Sequence, residues 1–90
     1  MPRYLIERRF VEGLHIPIDE AGARACEAVA SNNDQERVTW LHSYVSLDKK
    51  RTVCIYDGPT PEAIRRAAGR SNLPITSITE VRVLDPYFFK

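Results

Sequence analysis

Residues 38–56 of this 90-residue sequence read VTWLHSYVSLDKKRTVCIY, a stretch with two β-prone segments. Two segments, Val38–Leu47 and Thr52–Tyr56, are rich in β-branched and aromatic residues, which favour strands. Between them lies Asp48-Lys49-Lys50, a polar segment that is typical of a turn. The stretch therefore predicts an antiparallel hairpin in the middle of the chain.

On the N-terminal side of the hairpin, the sequence predicts a strand followed by a helix. Residues 4–9 alternate large and charged side chains with the period of a strand, which is expected to end near Phe10. From Ile18 onwards, apolar or small residues recur at helical spacing, and the predicted helix spans Asp19 to Ser31; the recurring residues are Ile18, Gly22, Ala25 and Val29. This spacing predicts an amphipathic helix that begins at Ile18 or Asp19 and stops at Asn32-Asn33-Asp34.

On the C-terminal side, Asp57-Gly58-Pro59 interrupts the second strand, and Thr60 can cap a helix that has Pro61 at its first position. The apolar stripe of this helix consists of Ile64, Ala67 and Ala68. Ser77–Leu84 alternates again and is expected to end at Asp85-Pro86. The order βαββαβ predicts an α+β, ferredoxin-like sandwich, in which two helices cover one face of an antiparallel four-stranded sheet.

Composition limits the classes of function. Ninety residues predict one domain spanning 1–90, and 13 basic against 12 acidic side chains give a net charge of +1, which disfavours nucleic acid or an anionic membrane as partner. No apolar run approaches the length of a membrane span, and the expected location is the cytoplasm. Two cysteines are too few for a disulfide scaffold or an iron–sulfur cluster.

The alternation within the strands predicts which side chains face the helices. Pairing Tyr44 with Cys54 gathers the aliphatic side chains of the hairpin on one face, and we expect the helices to cover it. The predicted inner residues are Tyr4, Ile6, Leu41, Val45, Leu47, Val53, Ile55, Val81 and Val83. The predicted outer residues are Glu7, Trp40, His42, Tyr44, Cys54, Tyr56, Glu80 and Arg82.

An outer face that contains Trp40, Tyr44 and Tyr56 is too apolar to remain in water, so it predicts a homodimer. The aromatic tail Tyr87-Phe88-Phe89 is expected to reach the partner. Cys26, on the first helix, is expected to pack in the core, and neither cysteine is expected to form a disulfide, because Cys54 would point away from that helix.

The same face holds the candidate metal ligands. His42 and Cys54 offer imidazole and thiolate to a divalent transition ion, and Glu7 or Glu80 could add an oxygen. Each residue also has a structural interpretation, because a strand histidine can be a hydrogen-bonded interface residue and a strand cysteine a small buried hydrophobe. His15 precedes Pro17 in a loop, where a solvated side chain is the default.

Two other functions remain open at this stage. In a cofactor-free oxygenase or isomerase, His42 would move a proton and Tyr44 or Tyr56 would stabilise an oxyanion. A pure dimerising scaffold would have a fully packed outer face. The sequence contains no nucleophile elbow or phosphate loop that would support an enzyme further.

Several segments resemble a known family: Tyr4–Arg8, Trp40–Val45, Asp48-Lys49, Cys54–Tyr56, Glu62–Arg65, Ile78–Val81 and Asp85-Pro86. They resemble a small bacterial family of uncharacterised function that includes actinobacterial nickel-binding proteins of ferredoxin-like fold. The resemblance implies a βαββαβ dimer, with nickel binding known for some members. Taken with the aromatic outer face, it leads us to expect that the protein binds nickel, a similar transition metal or a small ligand at that face. Where members commonly have a histidine in the second helix, this chain reads Arg65-Arg66-Ala67-Ala68, so that candidate ligand is missing.

Overall fold

The structure, a computed structural model, describes residues 1–14 and 20–87. Its elements are β1 (Arg3–Arg9), α1 (Glu20–Asp34), β2 (Thr39–Val45), β3 (Arg51–Asp57), α2 (Pro61–Arg70) and β4 (Ser77–Val81). The predicted ferredoxin-like α+β order is confirmed. His15, the predicted helix start at Ile18 or Asp19, and Phe88-Phe89 lie outside the described residues. No helix in the described parts of the chain combines the length and hydropathy that a membrane span requires.

The four strands form one antiparallel sheet in the order β2-β3-β1-β4. β1 lies in the middle, with Ile6 opposite Cys54 of β3 on one side and opposite Ile78 of β4 on the other. Alternate residues of β1 and β3 are buried, as expected for strands with one face against helices. The face covered by the helices, called here the inner face, therefore includes Tyr4, Ile6, Arg8, Thr52, Cys54 and Tyr56.

Helix α2 supplies most of the helical contribution to the core. Its buried residues are Ala63, Ile64, Ala67 and Ala68. The predicted cap is confirmed, because the Thr60 side chain accepts a hydrogen bond from the Ala63 N–H at 3.1 Å and Pro61 occupies the first turn. At the other end, the Ser71 N–H donates to the carbonyls of Ala67 and Ala68.

Helix α1 packs less closely than the sequence suggests. Only Gly22 and Asn33 are buried along its 15 residues. The helix includes Asn32-Asn33-Asp34 and ends at Asp34, the last residue of the segment in which it was predicted to stop. The Asn33 carbonyl accepts hydrogen bonds from the N–H groups of Glu36 and Val38, and the left-handed residue that turns the chain is Arg37, at φ 59°.

Two strands are shorter than predicted. β2 ends at Val45, not Leu47, because Ser46 and Asp48 form a compact turn in which the Asp48 side chain accepts from the Ser46 hydroxyl and the Lys50 N–H. β4 ends at Val81, not Leu84. Val81 pairs with Arg3, the first residue of β1, so the ladder has no partner beyond that point.

Gly58 lies at the closest approach of the β3–α2 connection to the core. A Cβ atom at Gly58 would meet Ile64 Cγ1 and Val38 Cγ2, each at 3.3 Å, whereas a Cβ at Gly69 in α2 would meet nothing within 4 Å. We expect Gly58→Ala to lower the free energy of unfolding by about 1 kcal/mol, and Gly69→Ala to raise it by roughly 0.5 kcal/mol through helix propensity. Urea denaturation measures both variants; equal shifts would contradict the packing described at Gly58.

Candidate functional site

A β-bulge in β2 separates the aromatic residues that the sequence groups together. Trp40 pairs with Tyr56, but His42 pairs with Ile55, so Leu41 is an extra residue on the bulged strand. The bulge reverses the alternation, and Trp40 consequently packs against the core whereas His42 and Tyr44 lie on the opposite face. The predicted placement of Trp40 on the outer face was therefore wrong.

The facing of β3 is also opposite to the prediction. Cys54 and Tyr56 are 5% and 3% exposed and belong to the core, while Val53 and Ile55 point away from the helices. Tyr44 pairs with Val53 and not with Cys54. The physical reason is that paired residues of neighbouring strands point to the same face of the sheet. Tyr56 pairs with Tyr4, which was correctly predicted to face inward, so Tyr56 faces inward too.

The last strand differs from the prediction in the same way. Glu80 pairs with Tyr4 and Val81 with Arg3, which puts Glu80 on the helix side and Val81 on the other. Glu80 is at the sheet edge, where its carboxylate remains exposed. The strand alternates as predicted, but with the faces exchanged.

The side of the sheet away from the helices has an apolar centre, called here the uncovered face. It consists of Leu5, Val53, Ile55 and Val81, all of them half-buried. Two ion pairs flank this centre: Arg3 Nε to Asp57 Oδ1 at 2.8 Å and Arg51 to Glu7 at 3.5 Å. The hydrogen bond and charge of Arg3 lower the pKa of Asp57 below its usual range.

His42 and Glu7 both belong to this face, as predicted for each of them, but their side chains do not converge on one point. His42 is exposed on the edge strand, where its ring makes an edge-on contact with Tyr44 at 5.3 Å between centroids. Glu7 is on the central strand β1 and accepts a hydrogen bond from the Ser77 hydroxyl at 3.3 Å. His42 and Glu7 lie two strands apart and are offset by two residues along the strand direction. Their Cα atoms are therefore roughly 12 Å apart.

The described residues of one copy therefore do not supply a complete set of ligands for a nickel ion. Residues 1–14 and 20–87 contain no group of three or more His, Cys, Asp or Glu side chains that could hold a metal. Cys54 cannot join His42, because it lies on the other side of the sheet. The donors that remain on the uncovered face, imidazole and carboxylate, are types that nickel accepts.

The inner face contains a cavity of about 840 Å³ between α1 and the sheet. Cys26 from α1 and Cys54 from β3 both line it, so the expectation that Cys54 points away from the first helix was wrong. Both thiols are free. Arg8, which the sequence analysis missed, lines the same cavity and is 3% exposed. Its signal was present in the sequence, because Arg8 continues the alternation of Tyr4 and Ile6.

Comparisons with known proteins agree on the family and the fold. A family model described as nickel responsive protein SCO4226-like matches residues 4–81. The crystal structure of SCO4226 from Streptomyces coelicolor A3(2) is similar, with a TM-score of 0.72 and 20% sequence identity, over 92% of this chain and 99% of that chain. At this identity the likeness concerns the fold. No curated protein matches the sequence.

Proposed function

Because the chain belongs to the SCO4226-like family of nickel responsive proteins, we propose that it is a small cytoplasmic homodimer that binds nickel or a similar divalent transition ion. We assign the ion to the uncovered face, with His42 as its principal ligand and Glu7 as the next candidate. The observation that supports this assignment is the position of His42, an exposed imidazole beside the apolar centre of that face.

The apolar character of the same face supports the proposal of a dimer. Leu5, Val53, Ile55 and Val81 form an apolar centre on a side of the sheet that neither described helix covers. A second copy is a suitable partner, because a two-fold interface places apolar centre against apolar centre. It would also bring a second set of His42 and Glu7 side chains to the interface, which supplies the donors that one copy lacks.

The enzyme alternative receives less support. It needs His42 to act with a tyrosine on one substrate, but Tyr56 is on the opposite face of the sheet. Tyr44 does contact His42, but Tyr44 is 68% exposed. Neither residue is among the described residues that line the cavity on the inner face. A proton-transfer site needs water-excluding walls that this exposed pair does not provide.

The test uses the two histidines of the sequence as a matched pair. We expect His42→Ala to weaken nickel binding by about tenfold or more. Removing a residue that only hydrogen-bonds to a metal ligand already weakens binding by about this factor, and removing the ligand itself should weaken it further. His15→Ala should leave the affinity unchanged. Affinity of the parent should rise with pH, because protons compete with the metal for imidazole.

Titration calorimetry with nickel chloride on untagged protein measures both variants. A larger loss in His15→Ala than in His42→Ala would contradict the assignment to the uncovered face. Circular dichroism of each variant checks that the fold is retained.

A further inference from the structure

The cavity between α1 and the sheet has the size of a small-molecule site. Its volume of about 840 Å³ lies within the range of ligand pockets in proteins. The sequence produces this space, because the α1 residues that border it include Ala25, Cys26 and Ala28. Side chains this short fill little volume, so space remains between this helix and the inner face.

The charges around the cavity all have one sign. Its charged lining residues within the described chain are Arg8, Lys49 and Arg70, and none of the others is acidic. Arg70 is already paired with Glu36 at 3.1 Å. Arg8 and Lys49 form no ion pair with any carboxylate in residues 1–14 and 20–87.

Arg8 is the unusual member of this set, because it is a buried cation. Its guanidinium donates to the Pro74 carbonyl at 2.9 Å and to the Tyr56 hydroxyl at 3.3 Å, and it lies 5.8 Å from the Tyr56 ring centroid. Both acceptors are neutral: burial raises the pKa of Tyr56, even though Arg8 acts in the opposite direction. A buried charge without a counter-ion is costly, and further N–H groups of the guanidinium remain for an anion.

We propose that this cavity binds an amphipathic organic anion, a carboxylate attached to an apolar chain or ring. The carboxylate accepts hydrogen bonds from Arg8, and Lys49 at the exposed rim adds favourable charge. The apolar body packs against Trp40, Val45 and Val29. This site lies on the inner face and is independent of the metal proposal, which concerns the other side of the sheet.

Decanoate, decanol and decylammonium test the charge preference on the parent protein, because they share a chain and differ in the head group. Trp40 is the single tryptophan of the sequence and lines the cavity, so its fluorescence reports occupancy. We expect decanoate to bind about tenfold or more tighter than decanol, and decylammonium most weakly. Equal affinity for the three, or the tightest binding for decylammonium, would overturn the proposal.

Substitutions then identify the residues. Arg8→Met should remove the preference for decanoate over decanol, whereas Arg65→Met, on the exposed side of α2, should keep it. Val29→Phe, which fills the cavity from α1, should weaken the binding of all three probes while Arg8 stays unchanged. Bound decanoate should also slow the alkylation of Cys26 in the parent. If Val29→Phe binds decanoate as the parent does and alkylation is not slowed, the cavity is not the site.

Discussion

Ile55→Glu is expected to leave the protein monomeric at concentrations at which the parent is a dimer. Ile55 lies between Leu5 of β1 and His42 of β2, in the centre of the uncovered face. Each dimer would lose two buried isoleucines at about 2 kcal/mol each and gain two facing carboxylates. A loss of about 4 kcal/mol weakens the dimer by roughly 1,000-fold.

Sedimentation velocity at micromolar concentration measures this change. Val11→Glu is the matched control, because it introduces the same side chain at a residue that is 86% exposed in a turn. The control should remain dimeric. If Ile55→Glu sediments as the parent does, the uncovered face is not the interface between copies.

The second large effect concerns the unequal packing of the two helices. Ile64 of α2 is 1% exposed and belongs to the core, so we expect Ile64→Ala to reduce the free energy of unfolding by about 3 kcal/mol. Val29 of α1 is half-buried beside the cavity. We expect Val29→Ala to cost less than about 1 kcal/mol, because a side chain next to open space loses few contacts.

Chemical denaturation in the absence of ligand compares these two variants. A comparable loss for both would mean that α1 packs on the sheet as tightly as α2, and that the cavity is filled in solution. The comparison therefore bears on the anion site as well as on stability.

The architecture could be predicted because its signals are local. Thr60-Pro61 marks the start of α2 through a cap and a residue with a preset φ, and the structure has both where the sequence indicates them. The inward direction of Tyr4 and Ile6 was also correct. These features depend on residues that are close together in the chain, so they can be predicted from sequence periodicity.

The candidate site could not be predicted to the same extent, because facing depends on pairing between strands. The extra residue Leu41 changes the face of His42 relative to Trp40, and no glycine or proline in β2 indicates it. Sorting by hydrophobicity then assigned Cys54 and Tyr56 to the wrong face. It assumed an inner face made of aliphatic residues, whereas the actual one uses the Tyr56 hydroxyl to accept from Arg8.

Native mass spectrometry of the untagged protein with nickel tests whether the metal binds where two copies meet. The parent is predicted to appear as a dimer that holds nickel. Ile55→Lys, which disrupts the same apolar centre without adding a carboxylate beside His42, is predicted to appear as a monomer that has lost most of the nickel. Nickel retained at parental occupancy on the Ile55→Lys monomer would contradict a site completed by the partner.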